Sequence, residues 1–141
     1  MGCITRQMVY LGMPKNELDI IAKSRIKQHR MVSSANIVEG YIAEINGIIF
    51  WMTFDKDERI DKIVIEDPKF RLKSGVAIGD NFSKIKSTYK NYYVVPLVGY
   101  GRMVFVEREG IVFGFPWRED DNVTIDDLDK IEWVEFVKTA F

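Results

Sequence analysis

The sequence predicts an α+β fold: two tandem repeats of a helical segment packed on an antiparallel β-meander, forming one domain over residues 1–141. Three observations predict it. Matching pieces recur in the same order, hydrophobic periodicity changes from helical to alternating within each copy, and turn-forming residues separate the alternating stretches. The copies cover residues 9–68 and 76–137. Val9-Tyr10-Leu11-Gly12-Met13 leads into a helical pattern with Leu18, as Val76-Ala77-Ile78-Gly79-Asp80 leads into one with Ile85. Gly47-Ile48-Ile49-Phe50 then answers Gly110-Ile111-Val112-Phe113, and Ile60-Asp61-Lys62-Ile63 answers Leu128-Asp129-Lys130-Ile131.

The first helix is expected over 14–24. Pro14 suits a first helical position, where its missing N–H would be unpaired anyway, and Leu18, Ile21 and Ala22 follow at helical spacing. The basic run Lys23, Arg25, Lys27, His29 and Arg30 reads as a frayed helix end or an extended connection with a basic face. From Asn36 the period becomes two. Strands are expected over 37–45, 48–54 and 60–66, with Asn46-Gly47 as the hairpin turn because both residues tolerate positive φ. Asp55 to Arg59 forms a second polar turn, and Pro68 ends this three-stranded meander. Residues 69–74 read as a linker.

In the second copy Asp80 or Asn81 can cap a helix over 81–90 that carries Phe82, Ile85 and Tyr89 on one stripe. Strands are expected over 92–98, 102–107, 110–115 and 130–137, one more than in the first copy. Gly99-Tyr100-Gly101 and Arg108-Glu109-Gly110 read as turns. An acidic insertion, 118–127, interrupts the last pairing.

Superposing the copies assigns faces. Phe50, Met52 and Phe54 align with Phe113, Phe115 and Trp117 and are expected against the helices. Ile49, Trp51 and Thr53 in one copy, and Val112, Gly114 and Pro116 in the other, then occupy the opposite face, because strand side chains alternate. That makes Trp51 an exposed aromatic on an open sheet face.

Composition narrows the function. The chain is 47% hydrophobic and 29% charged, which suits a soluble globular domain rather than disorder or a membrane-embedded chain. Lys and Arg number 20 against 21 Asp and Glu, so the general attraction used by nucleic-acid binders is absent. The single cysteine, Cys3, cannot form an internal disulfide. Gly2-Cys3 is how a bacterial lipoprotein precursor reads at its cleavage point, making Cys3 a candidate lipid attachment site, whereas Arg6 stands where N-myristoylation wants Ser or Thr. A lipid-anchored place in the bacterial cell envelope is expected on that basis, or a cytoplasmic one if Met1 is the native start.

Catalytic signatures are missing. His29 is the sole histidine, no Gly-x-Ser-x-Gly accompanies it, and one His with one Cys falls short of an ordinary zinc site. The loop aspartates Asp120, Asp121, Asp126, Asp127 and Asp129 lack EF-hand spacing. Gly75 to Gly79 lacks the Lys-Ser or Lys-Thr of a phosphate loop. No enzyme activity, cofactor or metal site is expected.

The Leu-Gly-Met-Pro or Ile-Gly-Asp helix opening, the Phe-Asp-Lys-Asp-Glu-Arg-Ile turn and the tandem copy together resemble two families. One is the β-lactamase-inhibitor-protein-like fold, with two helix-plus-antiparallel-sheet units. The other is the small outer-membrane assembly lipoproteins of the SmpA/OmlA type, with a single unit. The resemblance covers about Val9 to Phe136. It implies a non-catalytic protein-binding module that uses its open sheet face and loops, and it transfers no catalytic residue. Met13-Pro14 in place of a hydroxyl cap, and the acidic loop, depart from the pattern. The expected partner-binding residues are the aromatics Trp51, Tyr92, Tyr93 and Tyr100, gripping a protein. Two alternatives remain: a toxin-immunity protein using the acidic loop 119–129, and a small-ligand carrier or enzyme with a pocket between sheet and helices.

Overall fold

The computed structural model describes residues 9–22, 26–33, 36–97, 100–118 and 124–138. These form two short helices, α1 (Lys15–Ile21) and α2 (Phe82–Thr88), and eight strands: β1 (Lys27–Ser33), β2 (Asn36–Ile45), β3 (Ile48–Phe54), β4 (Ile60–Ile65), β5 (Tyr93–Leu97), β6 (Gly101–Val106), β7 (Ile111–Pro116) and β8 (Trp133–Val137). The strands make one antiparallel sheet in the order β1-β2-β3-β4-β8-β7-β6-β5. The α+β class and the antiparallel pairing agree with the sequence. Each helix is followed by four strands, and the two sets of four meet where β4 pairs with β8.

The first half has one strand more than its sequence pattern predicts. Lys27–Ser33 pairs along its length with β2, from Lys27 opposite Ile42 to Ser33 opposite Asn36. The first meander therefore has four strands, as the second does. Charge is well placed there: β1 is an edge strand, and Lys27, His29 and Arg30 discourage edge-to-edge association. Helix α1 is correspondingly short, since Ala22 is already extended (φ −67°, ψ 129°) while its N–H still reaches the Leu18 carbonyl.

The two helix approaches are tied down alike. Gly12 N–H donates to the Ile60 carbonyl and Ile60 N–H to the Met13 carbonyl; Gly79 N–H donates to the Ile131 carbonyl and Ile131 N–H to the Asp80 carbonyl. Gly12 and Gly79 both adopt positive φ (89° and 96°), the conformation in which glycine carries no Cβ penalty. Ile60 and Ile131 thus make the same pair of bonds, and Ile131 lies three residues beyond Leu128, which the sequence pattern matches with Ile60.

The main core lies between the sheet and the helices. Phe50, Met52, Phe113 and Phe115 are fully buried with Leu18 of α1 and Phe82 and Ile85 of α2, as alternation predicts. Phe54 and Trp117 are only partly buried. The supposed linker contributes to this core: Phe70, 1% exposed, packs edge-on against Phe50 and Phe136, both at 6.2 Å between ring centroids.

Candidate binding surface

The opposite face of the sheet carries a second, smaller cluster: Trp51, Val64 and Trp133, with Met31, Val38, Tyr100 and Met103 packed against them. No helix residue joins it. The register explains the grouping, because Trp51 stands opposite Val64, Val64 opposite Glu135, and Trp133 opposite Gly114, so their side chains share one side of the sheet.

Trp51 is on the predicted face but is not exposed. Only 2% of it is accessible, although no helix covers it. Its indole lies across β2, where a Cβ on Gly40 would come within 2.4 Å of two ring carbons, and its Nε1–H donates to the His29 carbonyl of β1 at 2.9 Å. Glycine at position 40 is what lets the ring lie down. Trp133 does the same across two strands, covering Gly114 of β7 and reaching Gly101 of β6. Its Nε1–H donates to Glu135 Oε2 at 2.8 Å, and Lys62 Nζ lies 3.3 Å from Glu135 Oε1. Glu135, 2% exposed, is thus a buried carboxylate with both oxygens engaged, which offsets the cost of desolvating it.

Around these flattened rings the face is concave. One depression of about 380 Å³ is lined by His29, Ile42, Ile49 and Trp51, with Asp67 and Lys69 at its rim. A second, of about 290 Å³, is lined by Tyr100, Glu132 and Trp133. Met31, Val64 and Glu66 line both, so the two form a single trough with an apolar floor. Asp67 is fully occupied. It accepts from the Lys69 and Ile49 amides at 3.0 and 3.2 Å and pairs with Lys69 Nζ at 3.1 Å. Burial acts to raise its pKa, but these amide bonds and the ammonium outweigh that and hold the carboxyl below its usual value.

The four expected aromatics separate. Trp51 and Tyr100 line the trough, Tyr100 with its ring 5.2 Å from that of Trp133. Tyr93 is on the same face but at the far edge, 45% exposed, its ring tilted against that of Phe105 at 5.2 Å. Tyr92 goes to the other side, packing edge-on against Phe82 at 5.8 Å as part of the main core's surroundings. Alternation explains the split, because Tyr92 and Tyr93 are consecutive and point opposite ways. Cys3 and residues 119–123 of the acidic loop lie outside the described residues. Among the trough residues that sequence did not indicate are Met31, Val64 and Trp133, which form its floor, and His29, Ile42, Glu66, Asp67, Lys69 and Glu132 around them. A signal for the face existed in Gly40 and Gly114, since glycine inside a strand marks a close approach.

The described part of the acidic loop is held within the chain. Arg102, 1% exposed on the helix side, donates from Nε to the Pro116 carbonyl and from Nη1 to the Thr124 carbonyl and Asp129 Oδ2, each at 2.9 Å. Arg118 adds Asp129 at 3.3 Å and Asp126 at 3.6 Å, and Lys86 of α2 holds Asp127 at 2.6 Å. Among the described residues no three His, Cys, Asp or Glu side chains are grouped as metal ligands, and no helix is long and apolar enough to cross a membrane.

No family model matches the chain and no curated protein matches its sequence. Its fold is similar to that in the crystal structure of the uncharacterized protein yfeY from Escherichia coli, with a TM-score of 0.59 over 92% of this chain and 93% of that one. At 17% identity the likeness extends to the fold alone.

Proposed function

We propose that this chain is a non-catalytic protein-binding module, built by tandem duplication of a helix-plus-meander unit, that receives its partner in the trough on the helix-free face. The observation that carries the reading is the trough itself: a continuous apolar floor of Met31, Val64, Trp51 and Trp133 on a sheet face without a helical cover. Apolar surface arranged this way marks interaction sites, and a recessed aromatic floor with a polar rim is the usual anatomy of one. Duplication is supported by the matched Gly12–Ile60 and Gly79–Ile131 hydrogen bonds and by the four strands that follow each helix. Both features suit the β-lactamase-inhibitor-protein-like and SmpA/OmlA-type folds that the sequence resembles, and an envelope lipoprotein anchored through Cys3 remains the setting that resemblance implies.

The anchoring role passes from buried Trp51 to accessible trough residues. Ile49, 39% exposed, and Tyr100 are the two to test, against Ile20 on α1, which is 82% exposed and remote from the trough. Immobilised full-length chain should lose a captured protein on Ile49→Arg or Tyr100→Ala and keep it on Ile20→Arg, with thermal transitions unchanged for the two isoleucine variants and lowered for Tyr100→Ala only by the loss of its packing on Trp133. Equal capture by all three would remove the trough as the site.

A further inference from the structure

The two edges of the sheet differ in whether they can take another strand. In an antiparallel ladder successive residues turn their backbone groups alternately to one neighbour and to the other. Ile49 N–H donates to Asp67 and not to β2, so Ile48, Phe50 and Met52 carry the β2–β3 bonds, and on the far side of β2 the residues Asn36, Val38, Gly40 and Ile42 bond β1. Lys27, His29, Met31 and Ser33 therefore turn their backbone groups inward, whereas Gln28, Arg30 and Val32 direct theirs off the sheet. The same alternation followed from the other end, where Val137 N–H donates to the Gly110 carbonyl, leaves Val94 and Pro96 outward on β5. Proline has no N–H to give, so the β5 edge offers an interrupted row.

The β1 edge is complete. It holds no proline, its register with β2 is unbroken from Lys27 to Ser33, residues 27–30 are all exposed, and among the described residues no isolated bridge pairs with it. Its charge is one-sided, with Lys27, His29 and Arg30 and no acidic residue. Arg30 gives only its Nε to Glu39, at 2.5 Å, which leaves the other donors of its fork to solvent. Lys27 and Arg30 stand three residues apart and project to opposite faces. Such charges repel a second β1 and complement an acidic strand. We infer that β1 accepts an extended acidic segment of a protein partner as a ninth strand, with carboxylates three residues apart opposite Lys27 and Arg30. This edge borders the trough at His29 and Met31 but does not depend on the trough being occupied.

Three blocked octapeptides test this: Thr-Thr-Glu-Thr-Thr-Glu-Thr-Thr, its glutamine analogue, and the glutamate peptide N-methylated at its four central amides. They are titrated to millimolar concentration into the full chain at low salt and followed by NMR. The glutamate peptide should bind at least about tenfold more tightly than the glutamine one, an advantage that added salt erodes, and the N-methylated one should not bind. At about ten times Kd the amides of Gln28, Arg30 and Val32 should exchange with water about tenfold more slowly. Those of Lys27, His29 and Met31, already bonded to β2, should keep their rates. Lys27→Gln/Arg30→Gln, with an unchanged thermal transition because both side chains are exposed, should remove the preference for glutamate, and Ile49→Arg in the trough should leave binding as it is. Binding of the N-methylated peptide as tight as its parent's, or slowed exchange that does not single out the three outward amides, overturns the added strand. Equal affinity for the glutamine peptide, or a preference that survives in the double variant, overturns the acidic partner. Absence of binding at millimolar concentration overturns both, and loss on Ile49→Arg would put the peptide in the trough and not at the edge.

Discussion

Trp133 lies so close over Gly114 that a Cβ on the glycine would sit 1.9 Å from ring carbon Cε2. The ring cannot retreat freely, since its Nε1–H is held by Glu135 and its far edge rests above Gly101. Gly114→Ala is therefore expected to destabilise by about 1 to 3 kcal/mol through overpacking, even though the strand would otherwise gain from losing a glycine. In a Trp133→Leu background the same change should cost much less. Denaturant unfolding of the four-member cycle measures the coupling, and additive effects would show that the ring does not depend on the glycine.

Both sheet faces hold aromatic side chains whose loss should be felt, for different reasons. Phe113, fully buried between the sheet and α2, should cost about 3 to 5 kcal/mol as Phe113→Ala. Trp51→Ala should cost a comparable amount, because the indole is buried and its loss also leaves the His29 carbonyl without its donor. An exposed Trp51, as alternation alone suggests, would instead leave stability unchanged on truncation. A denaturant midpoint shift worth less than about 1 kcal/mol for Trp51→Ala would restore that view.

What was legible in the sequence follows from what is local. Period-two alternation, Asn46-Gly47 and the glycine that opens each helix are encoded within a few residues, and they placed seven of the eight strands, both helices and the helix-facing side of β3 and β7. Strand β1 was obscured because its basic residues serve an edge, where charge replaces the apolar alternation of an interior strand. The fate of Trp51 was obscured for another reason. Alternation gives a side chain's direction but not whether it stands up or lies down, and that depends on Gly40, which is eleven residues away in the chain but adjacent in the sheet. Val64 and Trp133 come together only through the β4–β8 pairing, which no local pattern specifies.

Asp129 ties stability to pH. Burial acts to raise its pKa, but the hydrogen bond from Arg102, that from the Asp126 amide, and the charges of Arg102 and Arg118 outweigh it and keep the carboxyl below its usual value. A depressed carboxylate contributes stability that is present above the unfolded-state value near 3.9 and lost as pH falls through the folded one. Asp129→Ala should cost about 3 kcal/mol at neutral pH by stranding the buried Arg102 guanidinium. The gap between wild type and variant should narrow from about pH 5 downward. A gap that stays constant between neutral pH and the acid transition would mean that the carboxylate's charge contributes nothing.

The two helices differ at their N-termini, and the difference is testable. Asn81 precedes α2 in an extended conformation and its Oδ1 accepts from the Lys84 amide, while Pro14 precedes α1 with no side-chain cap. Asn81 also accepts from the Ser83 hydroxyl at 2.5 Å, so one side chain satisfies a helix donor and orders the first turn. Asn81→Ala should therefore cost about 1 kcal/mol, and Asn81→Asp much less, because aspartate caps as well and adds a favourable charge at the helix start. Pro14→Ala removes no cap; its effect comes through greater freedom of the unfolded chain, a loss of about 0.4 to 1 kcal/mol. Hydrogen exchange separates the two mechanisms. Loss of a cap should speed exchange of the α2 amides Lys84 and Ile85 above all, whereas an unfolded-state effect lowers protection only for amides that exchange by global opening. Equal loss across all amides in Asn81→Ala would show that the asparagine acts on the whole domain and not as a cap.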